Sequence, residues 1–483
     1  MRVHLINPGN PVVSLTNVSG WSRLNRCRVW KPLGLLILAR LTPPEWEVEV
    51  IDENLGPVEY ERMPRPDLVG ITAFTSQATR AYQIAARFRA RGVPVVMGGI
   101  HASMCLEEAL RHVDAVVTGE AELKWPEVLE DVRAGDLRSV YEGGLIPVEQ
   151  IPAARHDLLS GRYRFGSIQT TRGCPLCCNF CSVTAFNGGK YRHRPVENVI
   201  AELRQIKEKI ILFVDDNLIG TRRDHLAYTK ELFRAMIREG LTTPWVCQAT
   251  INFADDDELL ELAQKAGCAG VFIGFESPTV EGLIAVRKKF NIRKTCDLRA
   301  AVRRIQRHGI LVAGSFIMGI DTDEKGISDI TARACNEYGV DMANVLFLTP
   351  LPGTTLYRDM ERQGRILAAD YPEDWKYYTL AHPVATHKNF TWEELTAEMN
   401  RFNDLFNSYP KIFLRILRVA MRNWQRPLQV FLCAVANLTY RGNQRSDRRE
   451  YCDRRYTATP AEAAAAFEFK SGPVQLRPPE VRP

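Results

Sequence analysis

The 483-residue chain has no long apolar run, and nothing in it approaches the roughly 18 uninterrupted apolar residues of a membrane-spanning helix. Its opening, MRVHLINPGNP, lacks the apolar core of a signal peptide and reads as the first strand of a domain, so a cytoplasmic protein is expected. Thiols stay reduced in that compartment. The twelve cysteines therefore do not read as a disulfide framework, and some of them are expected to carry metal or redox chemistry. Acidic residues are missing from 405–446, a segment holding seven Lys and Arg out of a whole-chain net charge of +6. The remainder is thus close to neutral. Basic residues gathered in one segment, rather than spread over a wide face, argue against a nucleic-acid enzyme. What is present, 45% hydrophobic and 25% charged residues, describes a globular chain long enough for two or three domains.

Strand and helix patterns alternate over residues 1–140. Strands read at 2–8, 47–54, 67–75, 93–103 and 114–122, and helices at 33–41 and 78–92. Such alternation with continuous apolar strands predicts an α/β domain with a doubly wound parallel sheet. Its strand ends (Asn7-Pro8-Gly9, Asp52–Gly56, Thr72–Ser76, Gly98–His101, Thr118–Glu120) are rich in Gly, Ser and Thr, which suits a phosphate-bearing or ring-shaped cofactor. Residues 141–165 read as a linker. Residues 166–355 carry a second series, with strands at 166–172, 209–217, 245–253, 270–277, 310–320 and 342–350, and predict a partial six-stranded (β/α) barrel. A helical C-terminal region is expected over 356–446, and an Ala- and Pro-rich disordered tail over 447–483.

The segment TTRGCPLCCNFCSV (170–183) packs four cysteines into eight positions. Two groupings compete: Cys174-x2-Cys177 with Cys178-x2-Cys181, or Cys174-x3-Cys178-x2-Cys181. Adjacent Cys177 and Cys178 tend to point apart, and no second spaced pair exists for a four-thiolate zinc site, so the triad is favoured. Three thiolates suit a 4Fe–4S cube with one iron open to substrate or cofactor. The other eight cysteines (Cys27, Cys105, Cys247, Cys268, Cys296, Cys335, Cys433 and Cys452) read as small buried hydrophobes.

Cys174-x3-Cys178-x-Phe180-Cys181 resembles the C-x3-C-x-aromatic-C signature of the radical S-adenosylmethionine enzymes. The resemblance implies that Cys174, Cys178 and Cys181 hold the cluster. It also implies that its open iron binds the methionine part of S-adenosylmethionine, and that reductive cleavage yields a 5′-deoxyadenosyl radical able to take hydrogen from an inert carbon. It implies S-adenosylmethionine contacts at Asp215, Asp216 or Asn217, at Glu276 of GFESP, and at Gly319 and Asp323 of SFIMGIDTDE, where Ser315 replaces a glycine and Asp323 a usual Glu. LTPLPGT (348–354) resembles the branch of the family that carries an N-terminal cobalamin-binding domain, and residues 1–140 resemble that domain. Cobalamin contacts are implied at Thr72, Thr75, Ser76, Gly98, Gly99 and Gly119, with His101 as a further polar contact. Many cobalamin domains offer cobalt a histidine from D-x-H-x-x-G. Here DENLG has Asn54 in that place, so cobalt would lack the ligand.

The function this resemblance implies is methylation of an unactivated carbon in a lipid, tetrapyrrole or secondary metabolite. The electron donor would be of flavodoxin or ferredoxin type. Cyclisation or rearrangement without methyl transfer is the second expectation, and an iron–sulfur carrier or sensor the rival from another class. A methylthiolating enzyme would want a further cysteine triad and a basic RNA-binding domain, and neither is present. Finally, Lys411, Arg415, Arg418, Arg422 and Arg426 recur every three or four residues and predict one cationic stripe along a helix. Ile412, Phe413, Ile416, Leu417, Ala420 and Trp424 fill another side, and the expectation is a basic amphipathic helix with peripheral membrane contact.

Overall fold

The structure, a computed structural model, describes residues 1–12, 30–293 and 297–453, with side chains described as far as Gly442 apart from that of Arg293. Cys27, Cys296, the Cys452 side chain and residues 454–483 lie outside the described residues.

The first sheet contains β1 (Arg2–Asn7), β2 (Glu47–Asp52), β3 (Leu68–Thr72), β4 (Val95–Gly98), β5 (Ala115–Gly119) and β6 (Val140–Gly144). They are ordered β2-β1-β3-β4-β5-β6, and every neighbouring pair is parallel. Their apolar runs are buried because helices cover both faces. Leu33–Leu41 and Trp125–Ala134 pack on one side, and Ala78–Arg89 on the other. Strand order reverses between β1 and β3, which opens a crevice at their carboxyl ends. The expected linker is corrected here. β6 pairs with β5, and Tyr141, Ile146, Val148, Ile151, Ala154, Leu159 and Tyr163 join the same core.

The second sheet is ordered β14-β13-β12-β11-β10-β7 and is also wholly parallel. Its members are β7 (Phe165–Ile168), β10 (Ile210–Phe213), β11 (Trp245–Ala249), β12 (Cys268–Glu276), β13 (Leu311–Met318) and β14 (Met342–Phe347). β7 and β14 remain at opposite edges, so the barrel is partial. The strand expected at 166–172 breaks after Ile168. Its end becomes β8 (Thr171–Arg172), paired antiparallel with β9 (Arg192–His193) at the barrel mouth.

The C-terminal region is only partly helical. After the helix Thr355–Arg362, residues 366–390 are largely irregular, and Ala368, Trp375, Tyr378 and Val384 pack into the first domain's core. The helix Trp392–Phe406 starts at a capping box between Thr391 and Glu394. Helices Tyr409–Arg422 and Pro427–Asp453 follow, the second continuing through 447–453, where disorder was expected. Tyr440 Oη accepts from Val345 N–H (2.7 Å) and donates to Val345 O (3.1 Å), which covers the open edge of β14.

The expected cationic stripe is divided. Arg415 is buried and donates to Phe406 O (2.7 Å) and Asn437 Oδ1 (2.8 Å). Arg422 pairs with Asp341 at 2.9 Å, and Arg426 donates to His308 O at 2.5 Å. Only Lys411 and Arg418 remain exposed. Among the described residues no helix is long and apolar enough to cross a membrane.

Candidate active site

The carboxyl edges of the two sheets face each other. At the end of β5, Glu120 accepts from Arg192 of β9 at 2.5 and 3.0 Å and lies 3.3 Å from Arg172 of β8. Glu122 accepts from Arg172 at 2.5 Å. Burial alone would raise the Glu120 pKa, but hydrogen bonds from Arg192 and the charge of Arg172 hold it below the usual carboxylate range. The short helix Gly99–Met104 after β4 packs on Ser182–Asn187, which follows Cys181. A Cβ on Gly353, in LTPLPGT, would lie 2.2 Å from Met104 Sδ, so the loop after β14 also abuts the first domain.

The cysteine loop springs from β8. Cys174 and Cys181 are partly buried, Cys178 is buried and Cys177 is exposed. Burial pushes the thiols of Cys174 and Cys181 up and that of Cys178 up to about 12. Cys181 raises Cys174, both raise Cys178, and Asp216 raises Cys181, while the Lys288 charge opposes the rise in all three. Lys288 is buried and donates to Glu276 Oε1 at 2.8 Å. Burial works against its charge, yet Glu276 and the neighbouring thiols hold it protonated. Glu276 has φ +65° at a bulge ending β12, a backbone conformation that side chains rarely adopt and that turns the carboxylate back under Lys288.

Of the VDDN residues after β10, two border this loop. Asn217 Nδ2 lies 3.9 Å from Cys174 Sγ, and Asp216 accepts from Gly173 N–H at 3.1 Å. Burial raises the Asp216 pKa to about 6. Asp215 is fully buried. Its Oδ1 accepts from Thr170 N–H (3.0 Å), both Thr hydroxyls (2.8 and 2.7 Å) and the backbone N–H of Thr171. Oδ1 thus fastens the strand end before the cysteines, while Oδ2 is buried with no hydrogen-bond partner among the described residues. After β13, Asp323 Oδ2 accepts from Gly319 N–H (2.9 Å) and Ile320 N–H (3.0 Å), which shapes the turn itself. Gly319 has φ +91°, and a Cβ there would meet His387 Nδ1 at 2.7 Å. His387 donates from Nδ1 to Gly319 O (2.6 Å), and burial lowers its pKa to about 4, so the ring is neutral.

In the first domain Thr72, Thr75 and Ser76 lie at the end of β3, Gly98 and Gly99 at the end of β4, and Gly119 at the end of β5. Thr72, Gly98, Gly99 and Gly119 are half-buried, whereas Thr75 and Ser76 are buried. Ser76 donates to Asn10 Oδ1 at 2.7 Å and Gln77 to Pro8 O at 2.6 Å, stitching the loops after β1 and β3 across the crevice. A Cβ on Gly99 (φ +88°) would lie 2.6 Å from Thr72 Oγ1, and one on Gly119 2.8 Å from Gly144 N. Close packing within the protein therefore calls for glycine at these two positions. His101 is fully buried, with Tyr82 Oη 3.0 Å and Glu108 3.4 Å from its Nε2 and its ring edge-on to Trp375. Phe74, 60% exposed, stands beside the crevice. Asp52 is held by Tyr163 (2.5 Å) and in turn accepts from the Asn54 side chain (2.7 Å). Asn54 Oδ1 is buried with no hydrogen-bond partner among the described residues.

The sequence reading missed Lys288, Arg172, Arg192, Glu122 and His387, and placed Glu120 at a strand end without its ion pairs. Nothing local marks which lysine of RKK (287–289) is the buried one, and the ion pairs between domains join residues far apart in the chain.

The donor set fits an iron–sulfur cube: three thiols on one loop, beside a buried cation. Among the described residues no three metal-ligating side chains converge on a single ion. A cube, offering a separate iron to each thiolate, needs no such convergence. The crevice between β1 and β3, with the unpartnered Asn54 oxygen, fits the lower side of a corrin. An open parallel barrel with a three-thiol loop at its mouth, faced by a doubly wound domain, defines a radical S-adenosylmethionine enzyme. Residues 168–330 match the Radical SAM superfamily model and 25–129 the B12 binding domain model. The chain is 30% identical to bacteriochlorophyllide d C-12(1)-methyltransferase of Chlorobaculum tepidum over 377 residues, covering 75% of this chain and 80% of that protein. It is 28% identical to hopanoid C-2 methylase of Rhodopseudomonas palustris, covering 73% of this chain and 68% of that protein. Its fold matches the radical S-adenosylmethionine methyltransferase TsrM of Kitasatospora setae with TM-score 0.65 and 18% identity, covering 94% of this chain and 99% of that one. The chain belongs to the cobalamin-dependent radical S-adenosylmethionine methyltransferases.

Proposed function

We propose that the enzyme methylates an unactivated carbon of an apolar, ring-containing small molecule of the tetrapyrrole, lipid or secondary-metabolite class. The observation that carries this reading is the apposition of the two carboxyl edges, locked by Glu120, Glu122, Arg172 and Arg192. Relatives named for bacteriochlorophyllide and hopanoid substrates support the substrate class. When bound, the cluster and S-adenosylmethionine supply the radical, and cobalamin supplies the methyl group.

The chain's own residues bind, orient and shield. Cys174, Cys178 and Cys181 hold the cluster. Lys288 and Glu276 set a buried charge beside it, and Asp216, Asn217 and the Gly319 turn border the S-adenosylmethionine site. Thr72, Gly98 and Phe74 border the corrin side, and Asn54 takes the place of a cobalt-binding histidine. The cysteine loop reaches the surface at Cys177, which supports electron entry there from a flavodoxin- or ferredoxin-type donor. Two measurements test the reading. Protein loaded anaerobically and given methyl-deuterated S-adenosylmethionine transfers the label to an acceptor in extracts of the source cells. The Co(II) form shows no nitrogen superhyperfine splitting from a protein imidazole. Failure of label transfer would overturn the function, and imidazole splitting would overturn the Asn54 assignment.

A further inference from the structure

We infer that the outward face of the helix Tyr409–Arg422, continued by Phe431 and Leu438 of the next helix, docks on an anionic lipid surface. The inference rests on the apolar-substrate reading for its purpose and adds where the enzyme works. At 3.6 residues per turn, Phe413, Leu414, Leu417 and Met421 share one face, Trp424 follows in the turn after the helix, and all five are exposed, Trp424 at 76% and Phe413 at 64%. The opposite face (Ile412, Arg415, Val419, Asn423) is buried, with Arg415 held by Phe406 O and Asn437 and Arg422 by Asp341. The orientation is therefore fixed by hydrogen bonds and an ion pair, and the apolar side is the one left uncovered. Contiguous exposed apolar faces of this kind mark interaction sites.

Charge decides the occupant. Lys411 and Arg418 flank the apolar face and form no ion pair among the described residues. No Asp or Glu occurs anywhere in 405–446. Large aromatic and aliphatic side chains with an uncompensated cationic border match the headgroup boundary of an anionic bilayer. A second copy of this chain would bring the same uncompensated cations against each other.

The test is co-sedimentation of the full-length, cofactor-loaded protein with phosphatidylglycerol-containing vesicles at low salt, beside pure phosphatidylcholine vesicles. Wild type is expected to pellet with the anionic vesicles and to be released by salt. Phe413→Ser with Trp424→Ser should weaken partitioning by roughly tenfold or more. Lys411→Gln with Arg418→Gln should weaken it by roughly tenfold and remove most of the salt dependence. Wild type left in the supernatant overturns the inference. Light scattering then assigns the cover: twice the monomer mass to a second copy, monomer mass to residues 454–483. Partitioning unchanged by the Phe413/Trp424 variant overturns it too. Formation of 5′-deoxyadenosine and S-adenosylhomocysteine without vesicles is measured alongside. Both products with no vesicle binding would remove the docking surface and leave the proposed function standing, whereas binding without either product would do the reverse.

Discussion

At the scale of residues, adjacency separates Cys177 from Cys178: one thiol is exposed, the other buried beside Lys288. Replacing Cys174, Cys178 or Cys181 by Ala is expected to abolish the brown 4Fe–4S absorbance and S-adenosylmethionine cleavage, while Cys177→Ala keeps both. Iron loss from the Cys177 variant as complete as from the others would contradict the three-ligand assignment. The Lys288–Glu276 pair makes a second expectation. Lys288→Met leaves a buried carboxylate without its cation and should cost roughly 3–5 kcal/mol of stability. The double change Lys288→Met, Glu276→Gln should recover most of it in denaturant unfolding. A double variant as unstable as the single one would show that the pair is not the source. Asp323 gives a pH signature. Its folded pKa is raised to about 6 by burial, so its contribution is fully present below the ordinary Asp value and is lost as pH rises through about 6. Asp323→Asn should therefore stabilise the protein at about pH 8, by on the order of 2 kcal/mol, and change little at about pH 4. Equal effects at both pH values would rule out that ionisation as the cause.

At the scale of elements, the helix Tyr409–Arg422 shows what periodicity leaves undecided. Spacing groups Lys411, Arg415, Arg418, Arg422 and Arg426 in one stripe, whereas the structure turns Arg415, Arg422 and Arg426 inward and leaves Lys411 and Arg418 exposed. Carbonyl oxygens at Phe406 and His308, the amide of Asn437 and the carboxylate of Asp341 capture the inward three, and all but Phe406 are remote in sequence. Arg415→Gln is expected to destabilise the protein by roughly 2–4 kcal/mol, whereas Arg418→Gln should stay within about 0.5 kcal/mol. Equal effects of the two changes would contradict the buried-arginine assignment. The parallel strands were legible because burial on both faces demands continuous apolar runs such as VVMG and IILF. β6 (VYEGG) and the irregular 366–390 segment were not. Their buried residues serve turns and an adjoining domain, so neither the two-residue nor the 3.6-residue period marks them. The cysteine triad was legible because its ligands sit on one short loop. Lys288 was not, because its partner Glu276 lies a helix and a turn away.

At the scale of the whole molecule, two parallel sheets meet carboxyl edge to carboxyl edge. Each ends in the loops that suit one cofactor, and the ion pairs of Glu120 and Glu122 with Arg172 and Arg192 hold the edges in register. Changing Glu120 and Glu122 together to Gln should uncouple the halves, with 5′-deoxyadenosine still formed while methyl transfer falls at least roughly tenfold. Product analysis of that variant checks it, and a parallel fall in both would place the fault in the barrel alone. The most direct test of the central claim is product analysis of the anaerobically loaded wild-type enzyme turning over methyl-deuterated S-adenosylmethionine with its acceptor. The account predicts a deuteromethylated product, with S-adenosylhomocysteine and 5′-deoxyadenosine accumulating beside it and all three absent from Cys178→Ala. Formation of 5′-deoxyadenosine with neither S-adenosylhomocysteine nor label in the product would contradict it, and would make the enzyme a radical cyclase or rearrangement catalyst.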